Sequence, residues 1–98
     1  MIYRVELTPD ALDDLARLMV FIADRSLETA LRANDLIRSR LASLSAFPYR
    51  GRRTAQPDIR ELVIPFGRRA YIARYRISAD LVIVAGIRHS HEQSREAD

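Results

Sequence analysis

Residues 60–89 read RELVIPFGRRAYIARYRISADLVIVAGIRH, and this stretch decides the fold. Its apolar residues recur every second position rather than every third or fourth. Leu62 and Ile64 share one side of a first run. Tyr71, Ala73, Tyr75 and Ile77 share a side of a second, and Leu81, Ile83, Ala85 and Ile87 a side of a third. A period of two is that of a β-strand with one face buried. The connections Phe66-Gly67-Arg68-Arg69 and Ser78-Ala79-Asp80 are short enough for hairpins, which makes the three strands consecutive and antiparallel. In the third run Val82 and Val84 are apolar as well, which implies either a central position in the sheet or a second face buried by something else.

Working back from there, the chain changes character at Phe47 to Pro57, a Pro/Gly/Arg connector that stops a helix at Phe47-Pro48 and turns at Gly51. Before it, Ser26 can cap a helix from Leu27 to about Ser45, with Leu27, Ala30, Leu31, Ile37, Leu41 and Leu44 at helical spacing. Asp24-Arg25-Ser26 joins it to an earlier helix. That one opens at Thr8-Pro9-Asp10, where a capping hydroxyl, a proline suited to the first turn and an acid at the positive helix end coincide. It carries the stripe Leu12, Leu15, Leu18, Met19 and Ile22. Tyr3, Val5 and Leu7 alternate with Arg4 and Glu6 as a first strand, which can pair beside the last one. The order β-α-α-β-β-β predicts an α+β domain over residues 1–98, an antiparallel sheet packed on one face by an N-terminal helical hairpin. The helix stripe is expected to meet Leu31, Ile37, Leu41 and Leu44, both against Tyr71, Tyr75, Leu81 and Ile83.

Composition narrows the chemistry. The 98 residues are 48% hydrophobic and 30% charged, ordinary for a folded domain. No cysteine is present, which excludes a disulfide framework, a thiolate zinc site, an iron–sulfur cluster and a cysteine nucleophile. The three glycines lie far apart, so there is no phosphate-binding glycine loop, and no cofactor is expected. The N-terminus has no apolar signal core and no stretch is long enough to span a membrane, which points to the cytoplasm. The net charge of +3 hides an asymmetry, because every basic residue is arginine and residues 50–76 hold eight of them against only Asp58 and Glu61. A basic block of that kind attracts phosphates or an acidic protein segment, although some of its side chains can simply solvate the surface.

Candidate site residues follow. Ser90 lies between His89 and His91 with Glu92 adjacent, but neighbours along a strand point to opposite faces and do not form a triad. His89 and His91 share a face if the strand continues, yet no third metal ligand accompanies them, and no metal is expected. Arg60, Arg74, Arg76 and Arg88 can converge on the exposed side of the sheet. There they could hold RNA phosphates and stabilise charge during attack by a 2′-hydroxyl, with a histidine moving the proton; equally, they could meet the acids of a protein partner.

Four pieces of the chain together resemble the RelE/ParE superfamily of toxins from type II toxin–antitoxin systems. They are IYRVELTPDALDDLARL (2–18), FPYRGRR (47–53), RELVIPFGRRAYIARYRI (60–77) and LVIVAGIRHSHE (81–92). The resemblance implies a small bacterial protein that arrests growth when free and is neutralised, in a hetero-oligomer, by a cognate antitoxin whose segment wraps the helices and sheet. It also implies one of two targets. RelE-like members cut messenger RNA on the ribosome; ParE-like members poison DNA gyrase and are not nucleases. On the RelE-like pattern the catalytic residues would be Arg60, Arg74, Arg76 and Arg88, with His89 or His91 as acid–base partner. The departures from that pattern are the absence of any tyrosine after Tyr75, of any lysine, and a polar, acidic tail after Glu92. The Phe47 to Arg52 connector looks more like the ParE side. A protein-binding module without toxicity is the third reading.

Overall fold

A computed structural model describes residues 2–92. The elements run β1 (Arg4–Leu7), α1 (Pro9–Ala23), α2 (Leu27–Ala42), a 3₁₀ turn (Ser43–Ser45), β2 (Arg52–Arg53), β3 (Arg60–Phe66), β4 (Arg69–Ser78) and β5 (Leu81–His89). Both helices begin as the sequence predicts. The Thr8 hydroxyl accepts the Ala11 N–H at 3.1 Å, and the Ser26 hydroxyl accepts the Thr29 N–H at 3.1 Å. The two hairpin turns each place one residue at positive φ, Gly67 at 62° and Ala79 at 54°, the backbone twist that closes a two-residue loop between right-twisted strands.

The five strands order as β1-β5-β4-β3-β2. The α+β class and the central position of β5 are as predicted, with two differences: a short fifth strand, β2, forms inside the stretch expected to be a connector, pairing Arg52 and Arg53 with Glu61 and Arg60, and the sheet is not wholly antiparallel. β2 to β5 are antiparallel, but β1 pairs with β5 in parallel, Val5 opposite Val82 and Leu7 opposite Val84, so the sheet is mixed. The helical hairpin between β1 and the rest is the crossover that a parallel pair requires.

The core departs from the prediction at three points. On β5 the side chains turned to the helices are Val82, Val84 and Ile87, not Leu81 and Ile83. A bulge causes this: Arg74 pairs with Gly86 and Tyr75 with Val84, leaving Ala85 as an extra residue that shifts the alternation by one. On the helices, Leu12 is 50% exposed and Leu31 58%, while Ala11 and Ala33 are fully buried. The small residues let the helices sit close to the sheet and each other, and the leucines project outward. Leu15, Leu18, Ile37, Leu41 and Leu44 complete the interior with Leu62, Ile64, Tyr71, Ala73 and Tyr75.

Two buried polar contacts fix this frame. The Tyr75 hydroxyl, at the centre of the core, donates to the Pro48 carbonyl at 2.7 Å and accepts the Gly51 N–H at 2.9 Å, so the connector is wrapped around one phenol. Burial pushes that phenol above its ordinary pKa, against the pull of the Gly51 N–H and of Arg60 and Arg50. Gly51 is required by contact: a Cβ there would lie 2.5 Å from the Tyr75 oxygen and 2.7 Å from its ring. Gly51→Ala will therefore cost about 1–3 kcal/mol in overpacking, to be read as a lowered Tm by circular dichroism. The second contact holds the bulge. Asp14, buried on α1, accepts the Ile87 N–H at 2.9 Å, and the Thr8 hydroxyl donates to the Ala85 carbonyl at 3.2 Å. The backbone groups that the bulge removes from the ladder thus find side-chain partners on the first turns of α1.

Candidate functional site: an arginine-rich sheet face and an apolar groove

The helices cover one face of the sheet and leave the other open. Because Leu62 and Ile64 point to the helices, Glu61 and Val63 point away; across β4, Ile72, Arg74 and Arg76 do the same, and across β5, Arg88. Glu61 is the hub of this open face. Arg52 of β2 approaches it at 3.0 Å on Oε1, and Arg88 of β5 at 3.3 Å on Oε2, so one carboxylate bridges strands on both sides of β4. Arg74 stands directly across from Glu61 in register and donates to Gln56 Oε1 at 3.3 Å. Though on the open face, Ile72 and Arg74 are only 6% and 8% exposed. The Arg88 Nε is buried and finds no acceptor among the described residues.

On the helix side, a groove of about 730 Å³ opens between the end of α1, the start of α2 and the paired ends of β4 and β5. Leu18, Phe21, Ile22, Phe66 and Tyr71 form its apolar wall, with Arg17, Arg25 and Arg69 around it. His89 and His91 form one side. Their rings stack at 5.2 Å, and Tyr71 meets His89 edge-on at 5.7 Å. His89 Nδ1 accepts the His91 N–H at 3.1 Å, which leaves Nε2 as the position of the ring proton. Burial, then Arg69 and His91, lower the His89 pKa against the opposing effect of Glu92, and this lowering favours the neutral ring. The Glu92 carboxylate folds back, accepting the His89 N–H at 2.8 Å and Arg17 at 3.0 Å. Outside the groove Val20, Leu27 and Leu31 leave further apolar surface on the helical hairpin.

The predicted site residues therefore divide. Arg74, Arg76 and Arg88 share the open face. Arg60 does not join them, being in phase with the core residues Leu62 and Ile64. It donates to the Gly51 carbonyl at 2.8 Å and the Tyr49 carbonyl at 3.2 Å, with its guanidinium 5.1 Å from the Tyr49 ring. It fastens the connector. His89 and His91 lie on the groove side, and β5 ends at His89, so the rings meet through a turn rather than along a strand. Among the described residues no three potential metal ligands come together, and no helix is long and apolar enough to cross a membrane. Sequence reasoning passed over Glu61, Arg52 and Asp14. Glu61 had a visible signal, being one of two acids in the basic block; Asp14 had none, because a carboxylate among helix polar residues reads as solvated.

Residues 5–94 match the family model of the ParE toxin of the type II toxin–antitoxin system parDE. The chain belongs to this family within the RelE/ParE superfamily and is a toxin of a type II toxin–antitoxin system. Such a toxin has a cognate antitoxin as its partner. Two relatives from Caulobacter vibrioides are similar along nearly their whole length. Toxin RelE3 is 43% identical over 89 residues, covering 91% of this chain and 96% of its own. Toxin RelE1 is 39% identical over 93 residues, covering 95% and 99%. A solved structure of the chromosomal ParDE toxin–antitoxin system from P. aeruginosa has the same fold, with a TM-score of 0.74 at 22% identity over 90% of this chain and 96% of that one.

Proposed function

We propose that this toxin arrests growth by binding and inhibiting DNA gyrase in the cytoplasm, and that its antitoxin neutralises it by covering the groove and the helical hairpin. The observation that carries the first part is the separation of Arg88 from His89. Hydrolytic or transesterifying cleavage of RNA needs a proton-transfer group and a charge-stabilising cation within hydrogen-bond reach of one phosphate. Here the arginines that the RelE-like pattern would use, Arg74, Arg76 and Arg88, lie on the opposite side of the sheet from the two histidines, which share their groove with Arg17 and Arg69 instead, and His89 is tied to Tyr71, His91 and Glu92. A binding surface needs no such convergence. The ParE family match along residues 5–94 supports the same reading. For the antitoxin, the apolar wall beside Arg17, Arg25 and Arg69 suits an acidic amphipathic segment.

The alternative, ribosome-dependent cleavage of messenger RNA, draws support from the two relatives named RelE toxins. One experiment separates them: purified toxin in a gyrase supercoiling assay, alongside mapping of messenger RNA ends after induction. Inhibited supercoiling with intact messages is the expected result, and new cleavages inside codons with unimpaired gyrase would overturn it. On the gyrase reading, His89→Ala and His91→Ala leave growth arrest within a few-fold of the parent, since neither is asked to move a proton. Loss of arrest by more than about 100-fold, the scale of general acid–base catalysis, would return them to a catalytic role.

A further inference from the structure

Resting on the reading that the target is a protein, we infer that the connector between α2 and β3 is the surface that binds it, and that Phe47, Tyr49 and Arg53 there take an acidic protein surface carrying an apolar side chain. Phe47 is 66% exposed and Tyr49 60%, on either side of Pro48. The interior uses neither ring. Their backbone is nevertheless held at nearly every residue. The Phe47 N–H donates to the Ser43 carbonyl at 3.0 Å, and the Pro48 carbonyl and Gly51 N–H share the Tyr75 hydroxyl. Arg60 holds the Tyr49 and Gly51 carbonyls with its guanidinium over the Tyr49 ring, and Arg50 donates to the Ser43 hydroxyl at 2.7 Å. A fixed backbone that presents aromatic side chains to water loses little conformational freedom on binding, which is the economy of an interface anchor.

Charge selects the occupant. Arg53 stands opposite Arg60 in the β2–β3 ladder, so the two side chains share a face, and like charges directly opposite one another destabilise a sheet. Residues 47–53 contain three arginines and no acid. Glu61 answers Arg52, but Arg50 and Arg53 have no carboxylate partner among the described residues. A carboxylate brought by a partner would relieve the Arg53–Arg60 repulsion while the two rings take an apolar neighbour. Two such cations are too few to hold a nucleic-acid backbone at physiological salt. The surface is also distinct from the groove. It lies where β3 begins and β4 nears its end, whereas the groove lies at Phe66, Tyr71 and His89, and none of residues 47–53 lines it. An antitoxin over the groove and the hairpin therefore leaves these contacts unmade, and it excludes a large target by bulk, because α2 ends beside Phe47.

Binding of purified gyrase, and separately of the purified antitoxin, to immobilised toxin tests this. Phe47→Ser combined with Tyr49→Ser is expected to weaken gyrase binding by roughly 30-fold, the scale of an interface hot spot, and to change antitoxin binding by less than about threefold, as surface substitutions outside a contact do. Arg53→Glu should weaken gyrase binding by roughly tenfold at low salt, with the deficit shrinking as salt rises. It touches neither ring, so it decides alone should the serine pair fail to fold. Gyrase bound by the folded variants as by the parent would overturn the proposal. So would loss of antitoxin binding with gyrase binding kept, or a single-stranded RNA that the parent binds and the variants release. Should the parent itself leave gyrase untouched, the gyrase reading fails separately, and the surface is judged on growth arrest with intact messages: arrest lost in the variants sustains it, and arrest retained overturns it.

Discussion

Leu41→Asp unfolds the toxin. Leu41 is 3% exposed on the inner face of α2, in the cluster that joins both helices to the sheet. A carboxylate there would sit among the apolar side chains of the core, and an uncompensated buried charge costs about 3–5 kcal/mol, added to the lost packing of the leucine. A domain of this size has only about 5–15 kcal/mol of net stability. Far-UV circular dichroism should show a collapsed signal and no cooperative melt at temperatures where the parent is folded. Leu31→Asp, ten residues earlier on the exposed side of the same helix, should melt within about 2–4 °C of the parent, since surface changes stay within about 0.5 kcal/mol. A folded Leu41→Asp beside an unfolded Leu31→Asp would mean that α2 presents its other face to the sheet.

Asp14→Ala is the second large loss. The carboxylate accepts the Ile87 N–H at the bulge, and it is buried. Truncation strands that amide without water, at a cost of about 2–4 kcal/mol when the lost bond is charge-assisted. For a domain of this length that lowers Tm by roughly 10–25 °C. Asp14→Asn still offers a carbonyl oxygen and should recover most of the loss. Hydrogen exchange supplies the specific readout, because the Ile87 amide should exchange much faster in Asp14→Ala than in Asp14→Asn. The bulge also sets the phase of the residues that follow it, so growth arrest should fall further in Asp14→Ala than its remaining folded fraction explains.

Much of this architecture was legible because the local signals agreed with one another. Thr8 and Ser26 stand where the helices start, Phe47-Pro48 where α2 has ended, and Gly67 where a hairpin needs positive φ. The core face of β5 was not legible, since Leu81, Val82, Ile83 and Val84 are all apolar and alternation cannot choose between two such faces. The bulge at Ala85 then shifts the phase again, and its determinants, Thr8 and Asp14, lie more than seventy residues away in sequence. Leu12 and Leu31 misled for a related reason: at a crowded helix contact the alanine one or two positions away is the better fit, and the leucine turns outward. The candidate site was half legible. Arginine content marked the open face, but the tie between Arg52, Glu61 and Arg88 depends on strand register, and so does the separation of Arg88 from His89.

The order β1-β5-β4-β3-β2 also carries a consequence in time. The strand at which β1 and the β2–β4 meander meet is the last of the five to be synthesised. Until β5 emerges from the ribosome, β1 has no hydrogen-bonding neighbour, α1 has no bulge to hold, and the open face lacks Arg88. At roughly 5–20 residues per second, the interval between the emergence of β1 and that of β5 is on the order of ten seconds. Through that interval the nascent chain has neither of its two surfaces, and both come into being in a single late event.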